Sequence, residues 1–153
     1  MSIKEKLSAL GLTLPTAAAP VAAYVPAVKS GNLVFTAGQL PVVNGKLVKE
    51  GKVGSEVSAE DAKELAQLCA LNALAAISLV AELDQIERVV RVGGFVNCAS
   101  GFTAIPGVVN GASEFLIKIF GDVNGKHART AVGVAELPLN APVEIEMVVQ
   151  LNN

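Results

Sequence analysis

There is no tryptophan in this chain, one tyrosine, one histidine, and only 17% of its 153 residues carry charge. Each scarcity removes a class of function. With aromatics at 4%, the stacking platforms that hold single-stranded nucleic acid are missing. The 12 basic residues are scattered and outnumbered by 14 acidic ones, so no cationic stripe meets a phosphate backbone. One histidine and two distant cysteines, Cys69 and Cys98, cannot assemble the usual zinc ligand set, and they show no redox spacing. Long apolar runs are also lacking. Cys69 to Leu83 is interrupted by Asn72, Ser78 and Glu82 and falls short of the ~20 residues a spanning helix needs. Thr16 to Val28 carries Pro20 and Pro26, and the opening MSIKEKLSAL has no apolar core of the kind a secretory signal needs. A cytoplasmic protein with reduced thiols is the expectation. Phosphate loops, G-x-G-x-x-G, G-x-S-x-G and H-E-x-x-H are all absent.

What is abundant is apolar side chain, at 52% of the residues. That is more hydrophobic surface than one small core hides, which favours a homo-oligomer over an Ala- and Val-rich monomer. A single domain over residues 1–153 is expected, with a short helix and linker over 1–22.

Taken in order, Ser2 to Leu10 reads as a short helix stopped by Gly11. The stretch AYVPAVKSGNLVFTAGQL predicts two strands around Ser30-Gly31-Asn32, and PVVNGKLV a small hairpin turning at Asn44-Gly45. Ser58 opens the main helix as its N-cap, with Asp61 suggesting a capping box and an end near Leu83. Leu65, Leu68, Leu71, Leu74, Ile77 and Val80 cannot share one stripe, so this helix packs in more than one direction. Glu87 to Cys98 returns to strand, with Gly93-Gly94 marking a bulge or a close backbone approach, such as a subunit contact. A second helix over Gly107 to Phe120 repeats Val108, Ala112, Phe115, Leu116 and Ile119, and Gly121 ends it ahead of an exposed loop. Two strands close the chain. The order argues for an α+β fold, a sheet with two long helices on one face.

The last segment, HARTAVGVAELPLNAPVEIEMVV, carries the candidate chemistry. Arg129 enters the first strand. The second alternates Val143, Ile145, Met147 and Val149 against Glu144 and Glu146. Arginine offers a rigid fork for a carboxylate, and Glu144, early in the next strand, makes a plausible polar pair with it. The plainer readings are a surface ion pair for Arg129 and a wet strand face for Glu144. Tyr24 either edges a pocket or packs. His127 reads as a loop residue.

The hairpin GNLVFTAGQLPV, the helix segment NALAAI and the closing HARTAVGVAELPLNAPVEIE resemble the Rid/YjgF proteins, also labelled L-PSP endoribonuclease-like. The likeness covers the chain from about Tyr24 onward. It implies a chorismate-mutase-like α+β fold with a mixed sheet, assembled as a homotrimer with pockets between subunits. It also implies cofactor-independent hydrolysis of small reactive 2-imino or enamine acids to a 2-keto acid and ammonia, with no metal. By the same resemblance Arg129 holds the substrate carboxylate and Glu144 handles the attacking water. Tyr24 and Asn110 line the pocket, and Ala131 offers backbone to the substrate. Two positions depart from the pattern, which makes this a divergent subgroup. Ala131 stands where the family has cysteine, and Ala37 where it has serine before Gly-Gln. The expected partner is a small carboxylate-bearing imine or keto acid, with neither membrane nor nucleic acid. The alternatives are a non-catalytic trimer binding a small carboxylate and, from the family label alone, an endoribonuclease.

Overall fold

In the computed structural model, which describes residues 1–20 and 22–153, local signals and tertiary packing agree along most of the chain. Residue 21, within the expected linker, lies outside the described residues. Helix α1 (Ile3–Ala9) is closed at its start by a reciprocal capping box between Ser2 and Glu5. Strands β1 (Ala27–Ser30) and β2 (Leu33–Thr36) flank a two-residue turn in which Gly31 has φ +60°. The short pair β3 (Val42–Val43) and β4 (Lys46–Leu47) turns through Asn44 and Gly45, at φ +51° and +77°. Positive φ at both centres is what a type I′ hairpin requires.

Helix α2 (Ala59–Ile77) starts at Ser58, whose Oγ accepts the amide of Asp61 at 3.1 Å. The box expected there stays open, because the Asp61 carboxylate takes Lys49 Nζ at 2.6 Å instead. The helix also stops at Ile77, short of the expected Leu83. The Ser78 hydroxyl donates to the Ala75 carbonyl at 2.7 Å, and the next amides tighten into three-residue turns. Leu79 beyond it is exposed, so no packing rewards another turn.

Strand β5 (Ile86–Asn97), helix α3 (Ile105–Asn124) and strand β6 (Ala128–Val134) form a parallel crossover, after which β7 (Val143–Leu151) inserts beside β5. Gly121, at φ +85°, breaks α3 as expected, yet residues 122–124 form a further helical turn where a loop was expected. The sheet order is β1-β2-β7-β5-β6, with only β5 and β6 parallel. β6 and β7 are therefore not neighbours, although they adjoin in sequence.

Alternation along β7 buries Val143, Ile145, Met147, Val149 and Leu151 under α2 and α3, and turns Glu144, Glu146 and Val148 to the other face. That other face has no helix over it. Register places Val28, Phe35 and Val148 in one row across it, with Val28 52% and Phe35 43% exposed.

The two glycines of β5 explain themselves within the chain. A Cβ on Gly94 would stand 2.5 Å from both methyls of Val109 on α3, and one on Gly93 would meet the Glu146 side chain at 2.8 Å. The close approach at Gly94 is α3 seated on the sheet, that at Gly93 is the Glu146 side chain on the other face, and the bulges of β5 lie earlier, near Ile86–Arg91. On its opposite flank α3 meets α2 at Gly111, where an added Cβ would fall 1.8 Å from the Lys63 carbonyl oxygen. Backbone cannot yield as a side-chain tip can. Gly111→Ala should therefore cost about 2 kcal/mol or more. Gly107→Ala, in open space on the same helix, should be neutral or gain up to about 1 kcal/mol. Urea midpoints at unchanged m-value check the pair, and equal midpoints would refute the tight crossing.

Candidate functional site

Arg129 lies on β6, the edge strand, in register with Val92 of β5, whose side chain is buried beneath the helices. Paired residues share a face, so the arginine projects to the helix side. There it runs along one flank of α3. Its Nη1 donates to Asn110 Oδ1 at 2.7 Å and to Ser113 Oγ at 3.2 Å, and Nη2 leans on the Pro106 carbonyl at 3.5 Å. Positions 106, 110 and 113 recur at helical spacing, which is why one extended side chain meets all three. Among the described residues no carboxylate pairs with Arg129, and its Nε makes no hydrogen bond. The Nη1 end is held by protein while the Nε/Nη2 edge, the side-on fork, has no acid on it.

Behind this arginine sits His127. Its Nδ1 lies 2.7 Å from the Gly125 carbonyl oxygen and its Nε2 lies 2.9 Å from Ser113 Oγ. Burial pulls the His127 pKa below its ordinary value, and the Arg129 charge adds to this, while the Gly125 hydrogen bond opposes it. Ala131, two residues on, shares Arg129's face and pairs with Gly94, under the point where Val109 seats.

Glu144 is elsewhere. It pairs with Phe95 on the sheet face away from the helices, and its side chain lies over Gly38, where a Cβ would come within 2.0 Å of Oε1. Half-buried there, its carboxyl is pushed up, mainly by burial and secondarily by Glu146. Among the described residues no hydrogen bond reaches its carboxylate, and Ala37 adjoins it in the Gly38–Gln39 segment that pairs with Ile145. Tyr24 is about half exposed and precedes β1, at the opposite edge of the sheet from β6.

Within one chain, then, Arg129 and Asn110 come together, with Ala131 beside them. Glu144 and Tyr24 do not join them. The ion pair imagined between Arg129 and Glu144 does not form inside the chain, because β5 separates their strands and they face opposite ways. Two residues of the cluster, Ser113 and His127, escaped the sequence reading. A signal existed: Ser113 follows Asn110 by three on a helix, and His127 precedes Arg129 by two on an extended chain, which puts each pair on one side.

A family model described as "YjgF/chorismate_mutase-like, putative endoribonuclease" matches residues 4–151. The chain belongs to the YjgF family. Protein TCP17 of Trypanosoma cruzi is 39% identical over 152 residues, covering 99% of this chain and 95% of that protein. The crystal structure of protein Atu1372 from Agrobacterium tumefaciens is similar at 42% identity and a TM-score of 0.89, over 99% of this chain and 94% of that one. At 23% identity, a likeness of fold alone, comes E. coli TdcF with bound serine, with a TM-score of 0.64 over 91% and 94% of the two chains. The α+β architecture expected for a YjgF protein, a mixed sheet with both long helices on one face, is the one observed. No described helix of this YjgF protein is long and apolar enough to cross a membrane.

The depressed pKa of His127 makes a pH prediction. The unfolded chain binds this proton more readily than the folded one, so His127's contribution to stability is complete above its ordinary pKa of 6.5 and is lost as pH falls below that value through the folded midpoint. In NMR titration the His127 ring should show a midpoint below 6.5, and Arg129→Gln should raise it. A midpoint at or above 6.5 in the native protein would contradict the burial described.

Proposed function

We propose that this protein hydrolyses small 2-imino or enamine acids to 2-keto acids and ammonia, as a homotrimer whose pockets lie between subunits. One observation carries the reading. Arg129 is half-buried and held by α3 through Nη1, with its Nε/Nη2 fork free of any acid of its own chain. A fork in that state suits a ligand carboxylate bound through two parallel charge-assisted hydrogen bonds.

The remaining parts of the pocket come from a neighbour. Tyr24 and Glu144 lie at the far edge and on the far face of the sheet from Arg129, so a second copy must present them. The uncovered row of Val28, Phe35 and Val148 supports association through that face. TdcF, of the same fold, holds serine, an amino acid with the carboxylate this pocket would grip.

In the proposed chemistry, Arg129 fixes the carboxylate and so orients the adjacent C=N carbon. Water on Glu144 attacks that carbon. Glu144, a stronger base for having its pKa raised by burial, takes the water proton and returns it to the nitrogen. The tetrahedral adduct then passes its hydroxyl proton, by way of Glu144, to the nitrogen, the C–N bond breaks, and ammonia leaves with the keto acid behind. No metal or cofactor enters. Cys69 is buried and Cys98 partly so, both as free thiols, which suits a reducing cytoplasm.

A non-catalytic trimer that binds a small carboxylate is the second reading, supported by Ala131 beside Arg129 and Ala37 beside Glu144, which thin the polar groups of the proposed pocket. Endoribonuclease activity rests on family names. The scattered basic residues give it little support.

The test supplies 2-aminoacrylate, generated in place from serine by a pyridoxal-phosphate dehydratase, and follows keto-acid release. Wild-type protein should accelerate it, and Arg129→Ala should lower kcat/KM about 100-fold or more. No acceleration by wild type, or full activity in the variant, would sink the deaminase reading. Saturable keto-acid binding without turnover would select the second.

A further inference from the structure

We infer that His127, uncharged and carrying its proton on Nδ1, positions Arg129 for carboxylate binding by way of the Ser113 hydroxyl. This rests on the reading of Arg129 as the carboxylate anchor, and deepens it.

For an uncharged ring, hydrogen-bond capacity fixes the chain of donors. The Gly125 carbonyl can only accept, so the ring nitrogen 2.7 Å from it, Nδ1, holds a hydrogen. In a neutral imidazole the other nitrogen then presents a lone pair. Ser113 has one hydroxyl hydrogen, and Nε2 at 2.9 Å takes it. The lone pairs of Ser113 Oγ are thereby turned toward Arg129, whose Nη1 donates to that oxygen at 3.2 Å. The second Nη1 hydrogen goes to Asn110 Oδ1 at 2.7 Å. Both hydrogens of Nη1 are thus occupied by groups that can do nothing but accept. The planar guanidinium cannot turn about its Cδ–Nε bond without breaking two hydrogen bonds at once, and its Nε/Nη2 fork is aimed.

A protonated ring would reverse this order. Nε2 would have to donate to Ser113 Oγ, which would then serve two cationic donors while its own hydrogen lost its acceptor. The surroundings resist that second charge. Besides Arg129 on β6, the ring shares a shallow groove with Arg88 of β5, Lys126, and the uncharged Gln150 of β7. The acid nearest by sequence, Asp122 of α3, is engaged by Lys126 at 2.9 Å. Acid should therefore loosen the anchor without any change in the anchor's own charge. His127 and Ser113 are positioning residues in this scheme, since neither touches substrate.

Pyruvate binding by calorimetry from pH 5 to 8, on the intact protein, provides the test, with deaminase kinetics beside it. Ser113→Ala and His127→Ala should each weaken pyruvate about tenfold, the equivalent of one lost hydrogen bond to a charged group. KM should rise with kcat far less affected, and Ser113→Thr, which keeps the hydroxyl, should restore binding. Wild-type affinity should fall at acid pH with the His127 titration, and this limb should vanish in His127→Ala. Ring 15N shifts should report the Nδ1–H tautomer in the native protein, whatever the ligand does. Loss of pyruvate binding in Arg129→Ala with unchanged affinity and pH profile in both other variants would overturn this inference alone. Unimpaired binding in Arg129→Ala would overturn the anchor reading itself, and an Nε2–H tautomer would overturn the inference on structure.

Discussion

Everything at the arginine depends on how closely α3 can approach its two neighbours. Val109 seats on the sheet where Gly94 has no side chain, and two residues later Gly111 lets the backbone of α2 pass at Lys63. Between and just beyond these contacts stand Asn110 and Ser113, turned to the third side of the helix, where β6 brings Arg129. Helix rotation and height are fixed by two absent side chains, and interiors packed this densely leave little room for drift. The hydrogen bonds of Arg129 span only 2.7 to 3.5 Å, and an ångström of helix movement would break them. Ala131 belongs to the same geometry, since it pairs with Gly94 directly beneath the helix.

The topology accounts for why Arg129 and Glu144 do not meet within one chain. A parallel crossover puts β6 at the sheet edge, next to its own helix, so a side chain on the helix side of β6 can reach around α3 into open space. β7 returns between β2 and β5, and its polar residues face away from both helices. Arg129 and Glu144 are therefore separated by the sheet that each helps to build. In the proposed trimer the two surfaces meet by stacking one copy against another, and the apolar side chains on the uncovered face would supply a driving force for that.

Much of this was legible in the residues because the signals were local. Asn44-Gly45 dictates its hairpin, Ser58 its helix start, and period two along β7 its buried face. The errors came where tertiary context decides. The α2 pattern continues past Ile77 in apolar content, but the chain has no further surface to pack on, so Leu79 is left exposed. The two closing strands adjoin in sequence, yet β5 takes the place between them, which no local signal announces. The family resemblance named Arg129 and Asn110 together, and their side chains hydrogen-bond at 2.7 Å, yet it drew no attention to His127 or Ser113. A lone histidine has no spacing partner to advertise it, and its neighbour in space comes from a helix 14 residues upstream.

Burial acts on the two titratable groups of the proposed pocket with opposite consequences. It lowers His127 and raises Glu144, so in each case the neutral form is favoured. For the histidine that form is the one able to accept from Ser113, and so to leave the serine oxygen for Arg129. For the carboxyl it means a base whose affinity for a proton is higher than in water, and Glu146 on the same strand face strengthens the effect. Ala37 and Ala131 are consistent with this economy of polar groups. Where the family pattern places a hydroxyl and a thiol near the ligand, this chain has methyls, while the polar atoms that remain stand behind the arginine and hold it. An anchor fixed from behind does not need polar side chains in front to select a carboxylate. In the proposed pocket, methyls in place of a hydroxyl and a thiol would favour larger and less polar groups on the imine carbon.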